Sequence, residues 1–273
     1  MQCATVPAVA NRIDTCFANL RGRGEKAFIA YICAGDPSFA QTVALAGALE
    51  NAGTDILELG VPFSDPLADG IVNQLAAQRA LEAGATVPGV LECVRDIRRS
   101  SEIPIVLYTY LNPIVQFGLK EFYREANRAG VDGLLILDLP PEEDIEVQTH
   151  AMAHIRLVAP TTPEKRLASI CARGAGFIYY VSREGVTGAQ TSVAASLAEK
   201  VAAIRSHTQL PIAVGFGVSN PEQTAEVAQH ADAVVVGSLI VSQISEHRSR
   251  NDLPERIRAF VEPLVRAAKS QRP

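Results

Sequence analysis

Short apolar runs alternate with longer amphipathic stretches along almost the whole chain. Residues 8–22 place Ile13, Phe17 and Leu20 at helical spacing and stop near Gly22. Eight apolar runs follow at 26–35, 55–61, 103–110, 133–139, 155–160, 177–182, 211–217 and 233–238. Each is short and flanked by turn residues, as buried parallel strands are. Between them lie helical patterns at 36–53, 72–83, 87–99, 119–129, 140–153, 164–173, 193–206 and 221–229, and two more at 239–246 and 254–268. Asp36-Pro37 is expected to be a cap and first helical residue, and Pro140-Pro141-Glu142-Glu143 to open the helix that reaches 153.

Strict alternation of strand and helix calls for a parallel sheet. Eight strands close it as a (β/α)8 barrel (a TIM barrel), with the site at the C-terminal ends of the strands. The helix before the first strand is placed to plug the other end. No linker, low-complexity tract or repeat divides the sequence, so residues 1–273 are expected to form a single domain. A doubly wound open sheet is the runner-up, but no G-x-G-x-x-G follows the first strand.

Composition narrows the partners. The chain is 48% hydrophobic and 20% charged, enough for a large core. A net charge of −5 without any basic block argues against nucleic acid and anionic membrane surfaces. No apolar run approaches the roughly 18 residues a membrane helix needs, and the first residues lack the basic and apolar regions of a secretion signal. Cys3, Cys16, Cys33, Cys93 and Cys171 are odd in number and scattered, which predicts a reduced, cytoplasmic protein without a disulfide framework. His150 and His154 have metal-binding spacing on a helix but no H-E-x-x-H context, so they read as a surface helix and no metal site is expected.

The candidate chemistry centres on 55–70, D-I-L-E-L-G-V-P-F-S-D-P-L-A-D-G. Glu58 falls inside the apolar run, where an ionised carboxylate is costly unless paired or protonated. Asp65 and Asp69 follow in the loop. Two carboxylates in different environments let one site hold an acid and a base at neutral pH. The competing reading makes Glu58 a structural charge paired with an Arg or Lys, and Asp65 and Asp69 helix caps.

A second group of motifs falls on the same end of the expected barrel. Gly215-Phe216-Gly217 closes the seventh strand and Gly237-Ser238 the eighth. Glycines there let backbone approach an anion at a helix N-terminus, in the loops where such barrels hold phosphate. Tight βα turns are the plainer reading of either alone. The loop R-E-G-V-T-G-A-Q (183–190) is suited to a lid over the substrate, or is a simple surface connection.

At these residues the chain resembles the tryptophan synthase α subunit family, the indole-3-glycerol-phosphate lyases. The resemblance rests on A-G-D-P (34–37), E-L-G-V-P-F-S-D-P-L-A-D-G (58–70), N-P (112–113), A-G-V-D-G (129–133), D-L-P-P-E-E (138–143), S-R-E-G-V-T-G (182–188), G-F-G-V-S (215–219) and G-S (237–238), in the family's order. It implies retro-aldol cleavage of indole-3-glycerol phosphate to indole and glyceraldehyde 3-phosphate. Glu58 would be the acid–base group, Asp69 the carboxylate that accepts the indole N–H, and Tyr179 a tyrosine near the reacting centre. Tyr31 would line the indole pocket. Gly188, Phe216, Gly217, Gly237 and Ser238 would hold the phosphate, and Thr187 would pair with Asp69 on loop closure. Asp65, Pro66 and Asn112 would face a pyridoxal-phosphate-dependent β subunit that takes up indole, in an α2β2 tetramer. The α chain itself would need no cofactor.

The sequence departs from the family pattern at Ala30, Cys33, Ile71 and Leu137, where proline, threonine, proline and proline are common. These bear on the conformation of the loop after strand two and on coupling to β, not on the reacting groups. A free-standing indole-releasing lyase, a non-catalytic activator of the β subunit, and an unrelated phosphate-handling barrel are the alternatives. Intact Glu58 and Asp69 speak against the activator.

Overall fold

The computed structural model describes residues 11–143, 152–182, 190–215 and 217–270. The strands are β1 (Ala27–Cys33), β2 (Ile56–Gly60), β3 (Ile105–Thr109), β4 (Gly133–Ile136), β5 (Ala153–His154), β6 (Arg156–Val158), β7 (Ile178–Val181), β8 (Ile212–Gly215) and β9 (Ala233–Val236). All pair in parallel, in the order β5-β4-β3-β2-β1-β9-β8-β7-β6. Because β5 and β6 are consecutive pieces of one stave interrupted at Ile155, the sheet comes round on itself as an eight-stave barrel. The expected fifth strand, 155–160, is therefore the stave 153–158, paired to β4 through its first half and to β7 through its second.

The helices are α1 (Arg12–Arg23), α2 (Phe39–Asn51), α3 (Ile71–Glu82), α4 (Val87–Arg98), α5 (Leu111–Phe117), α6 (Leu119–Ala129), α7 (Glu164–Ala172), α8 (Gln190–Arg205), α9 (Pro221–His230), α10 (Ser238–His247) and α11 (Leu253–Lys269). Side chains alternate across each strand. On β1, Phe28, Ala30 and Ile32 join the layer between sheet and helices, while Ala27 and Ile29 face the barrel interior with Ile56, Val106, Leu135, Phe177 and Ala213. From α1, Ile13, Phe17 and Leu20 enter that interior, and Phe17 meets Phe177 at 5.9 Å between ring centroids. The expected plug is the observed one.

The same device recurs before three strands. Asp55 donates its N–H to the carbonyl of Phe28 at 2.9 Å and accepts the Phe28 N–H on Oδ2 at 2.8 Å. Asp132 does the same with Ile105, and Asp232 with Ile212, at the same distances. Each aspartate thus bolts the start of its own strand to a neighbouring stave. Each also meets a cation: Lys269 for Asp55, Arg12 and Arg98 for Asp132, Arg205 for Asp232.

Several local expectations are corrected. Asp36-Pro37 does not open α2. Ser38 is the N-cap, its side chain accepting from the Gln41 N–H, because a short hydroxyl there satisfies a helix-start donor. Asp36 is instead buried in a two-bond pair with Arg79 of α3 (2.9 and 2.7 Å). The helix expected over 140–153 does not reach its end: Pro141–Glu143 is a single 3-10 turn, and Ala153 already pairs in the sheet. His154 is accordingly on a strand, not a surface helix, its Nε2 3.2 Å from the Tyr123 hydroxyl. His150 lies outside the described residues. The short helix α5 was not foreseen. Pro113 sits in its first turn, and the Asp138 carboxylate accepts the Leu111 N–H at 2.7 Å.

Candidate active site

The mouth of the barrel opens on a cavity of about 650 Å³ at the C-terminal ends of the strands. Tyr31, Glu58, Asp69, Asn73, Tyr108, Tyr179, Gly215, Gly217, Gly237 and Ser238 are among the residues that line it. Register explains the first group: Tyr31 lies opposite Glu58 across the β1–β2 ladder, and Ile56, Glu58 and Gly60 share the inward face of β2. Glycines make room for the aromatic rings. A Cβ on Gly60 would lie 2.4 Å from the Tyr31 hydroxyl, and one on Gly215 would lie 2.8 Å from that of Tyr179.

Glu58 is 1% exposed, and its Oε1 has no hydrogen-bond partner among the described residues. The structural-charge reading required an Arg or Lys partner, and no ion pair to Glu58 occurs among the described residues. Burial pushes its pKa up to about 8, with the charge of Asp69 adding to the rise. That shift favours the protonated form of Glu58 at neutral pH.

Asp69 is held differently. Its Oδ1 accepts the Tyr108 hydroxyl and its Oδ2 the Tyr110 hydroxyl, each at 2.8 Å. Burial raises its pKa, and these two hydroxyl donors offset part of the rise because they favour the anion. Tyr110 also accepts the Ala68 N–H at 2.9 Å, tying the loop backbone to β3. The result is two carboxylates at one mouth with opposed environments: one buried without a partner among the described residues, which favours its protonated form, and one held by hydroxyl donors that favour its anion.

The anion-ready end is built from α10. Its N-cap is Gly237, which offers no side-chain cap, so the first-turn N–H groups beside Ser238 are turned to the cavity without one. Gly217, at φ +63°, lines the cavity from the loop after β8.

Of the residues singled out in the sequence, Tyr31, Glu58, Asp69, Tyr179, Gly217, Gly237 and Ser238 come together here. Thr187, Gly188 and Phe216 lie outside the described residues, as does the loop 183–189. Asp65 and Asn112 are exposed, and Pro66 is partly so, on the rim beyond the cavity. Asp65 accepts the Ser64 hydroxyl at 2.6 Å and caps no helix. The sequence reading missed Tyr108, Tyr110 and Asn73. The signal for the tyrosines was their two-residue spacing, with Tyr108 on β3 and Tyr110 just past its end, on the side that carries Val106 inward.

Fold and cavity together define a (β/α)8 barrel of the enzyme class, with two carboxylates and an uncapped helix N-terminus at one cavity. Residues 17–269 match the family model described as "Tryptophan synthase alpha chain". The chain is 55% identical over 253 residues to the tryptophan synthase alpha chain of Opitutus terrae, covering 91% of this chain and 94% of that one. It is 47% identical to that of Citrifermentans bemidjiense, covering 93% and 96%. Among solved structures, tryptophan synthase subunit alpha from Legionella pneumophila superposes with a TM-score of 0.87 at 37% identity, covering 95% of this chain and 99% of that one. The chain belongs to the tryptophan synthase alpha chain family. It is a lyase that cleaves indole-3-glycerol phosphate, of a family that pairs with a β subunit.

Proposed function

We propose that Glu58 moves the proton in this cleavage while Asp69 steadies the charge that develops on the ring. The observation that carries the assignment is the buried Glu58 Oε1, without a hydrogen-bond partner among the described residues, at the same mouth as an Asp69 carboxylate that accepts two tyrosine hydroxyls. Glu58 donates its proton to C3 of the indole ring, and the positive charge that spreads to the ring nitrogen is drawn towards the Asp69 carboxylate, which accepts the N–H. The Glu58 carboxylate so formed takes the proton of the adjacent side-chain hydroxyl. The C–C bond to C3 then breaks, its electron pair returns to the ring, and the oxygen becomes the aldehyde of glyceraldehyde 3-phosphate. One proton has travelled from oxygen to carbon, and Glu58 ends as it began. Such proton transfer contributes about 10²–10⁴-fold.

Tyr31 and Tyr179 bound the space for the ring. The α10 N-terminus, with Ser238, Gly237 and Gly217, receives the phosphate, to which Gly188 and Phe216 are added by the family resemblance. Thr187 is assigned by the same resemblance to pair with Asp69 on closure. None of these steps calls for a cofactor on this chain, and pyridoxal phosphate belongs to the β partner. Asp65, Pro66 and Asn112 lie on a rim with exposed apolar neighbours (Leu67 90%, Ile71 66%, Val115 53%), which supports a protein partner there and an α2β2 assembly. No helix among the described residues is long and apolar enough to cross a membrane. A single-domain cytoplasmic protein is the reading we adopt.

The test is indole release from indole-3-glycerol phosphate by the purified chain, with and without a tryptophan synthase β subunit. Activity that rises several-fold with β, and is abolished in Glu58→Gln, is the expected result. Activity indifferent to β would identify a free-standing lyase, and unchanged activity in the variant would overturn the role of Glu58.

A further inference from the structure

The two tyrosines that hold Asp69 are not equivalent. Tyr110 accepts the Ala68 N–H as well as donating to Asp69 Oδ2, and its ring packs on Phe63 at 5.3 Å, so it is a brace for the loop. Tyr108 donates to Oδ1 from within the cavity lining, its ring edge-on to Tyr31 at 5.0 Å and 69°. A carboxylate held through one oxygen turns readily about its last torsion, because sp³–sp² torsions are broad. A second donor on the other oxygen fixes its plane. It also leaves a further acceptor direction open on each oxygen, since a carboxylate has about four lone-pair sites.

We propose that Tyr108 is a positioning and specificity-determining residue for the substrate's heteroaromatic ring: its hydroxyl locks the plane of the Asp69 carboxylate so that an open lone pair faces a ring N–H, and its ring walls the same pocket. The proposal rests on the reading that Asp69 accepts the ring N–H. It makes the enzyme's preference for an N–H heterocycle depend on a residue that does not itself contact that hydrogen.

The probes are non-cleavable indolylpropyl phosphate and its benzothiophene isostere, in which sulfur replaces the N–H, with binding to the full chain measured by calorimetry. The wild type is expected to favour the indole ligand by about 10–100-fold, the range of a hydrogen bond to a charged group. Tyr108→Phe keeps the wall and removes the hydroxyl. It should lower that preference by about fivefold or more, mostly by weakening the indole ligand, while Asp69→Asn sets the floor. In cleavage assays Tyr108→Phe should also move the acidic limb of the pH profile upward, because Asp69 loses a donor that favours its anion. A wild type that binds both ligands alike would overturn the Asp69 reading and this proposal with it. A wild type that discriminates, with the full preference and an unmoved acidic limb retained in Tyr108→Phe, would overturn the role of Tyr108 alone.

Discussion

Asp132 and Ile105 are joined twice: the Ile105 N–H reaches Asp132 Oδ2 at 2.8 Å, and the Asp132 N–H reaches the Ile105 carbonyl at 2.9 Å. The carboxylate also takes Arg98 at 2.7 Å and Arg12 at 3.0 Å, so the plugging helix α1, helix α4 and two staves meet on one buried side chain. Removing it leaves the buried Ile105 N–H unpaired and takes the anion away from Arg98 and Arg12, which keep the Gly130, Ser101 and Ile103 carbonyls and the Glu102 carboxylate. Asp132→Ala should therefore lower unfolding stability by about 3–5 kcal/mol, the usual cost of breaking a buried pair. Urea denaturation checks this. The site lies at the opposite end of the barrel, so the folded variant should retain its affinity for indolylpropyl phosphate.

Glu58 links stability to pH. Its folded pKa, about 8, lies above its ordinary 4.5, so over that window the native state holds a proton the unfolded chain has lost. Stability from this group is then full below 4.5 and is lost as pH rises through about 8. Glu58→Gln cannot ionise there. Its Tm should match the wild type below about pH 4.5, exceed it increasingly up to about pH 8, and keep a constant lead above that. An identical pH dependence in the two proteins would show that Glu58 is ionised in the native state at neutral pH.

The same titrations shape catalysis. Cleavage needs Glu58 protonated at the start and Asp69 ionised, so kcat/KM should be bell-shaped. The alkaline limb should fall near pH 8, and the acidic limb should lie above the ordinary aspartate range because burial raises Asp69. In Asp69→Asn the acidic limb should disappear, and the remaining activity should be about 10²-fold lower.

The barrel was legible because its strands are buried on both faces and its helices on one, so period and length alone separate them. The stave at 153–158 was blurred by its break at Ile155, which a run of apolar residues does not reveal. Helix α5 was hidden in N-P, which reads equally as a turn. Glu58 stood out as a charge inside an apolar run. Tyr108 and Tyr110 did not, since tyrosine is an ordinary strand residue and their convergence on Asp69 depends on a loop that folds back over β3.

The anion site makes a charge prediction. The N-terminus of α10 carries partial positive charge and uncapped N–H groups, and Ser238 is its first residue. Ser238→Asp places a carboxylate where the phosphate would sit. KM for indole-3-glycerol phosphate should rise by about 10-fold or more, with a smaller effect on kcat because the acid–base groups are on β2 and its loop. Inorganic phosphate should inhibit the wild type competitively and the variant much less.

The rim beyond the cavity bears on the partner. Ile71 and Leu75 are one turn apart on α3, 66% and 46% exposed, and Phe63, Pro66 and Leu81 line the same shallow groove. Leu67 and Val115 are exposed and lie near Pro66 and Asn112 in sequence, and an exposed apolar groove rimmed by polar residues is the kind of surface a protein partner covers. Leu75→Asp would put a charge into the centre of a buried contact, where burial without a partner costs several kcal/mol. The ratio of cleavage rates with and without the β subunit should fall towards one at a β concentration that saturates the wild type, and should recover at higher β. A full ratio at the original concentration would place the partner elsewhere on the barrel.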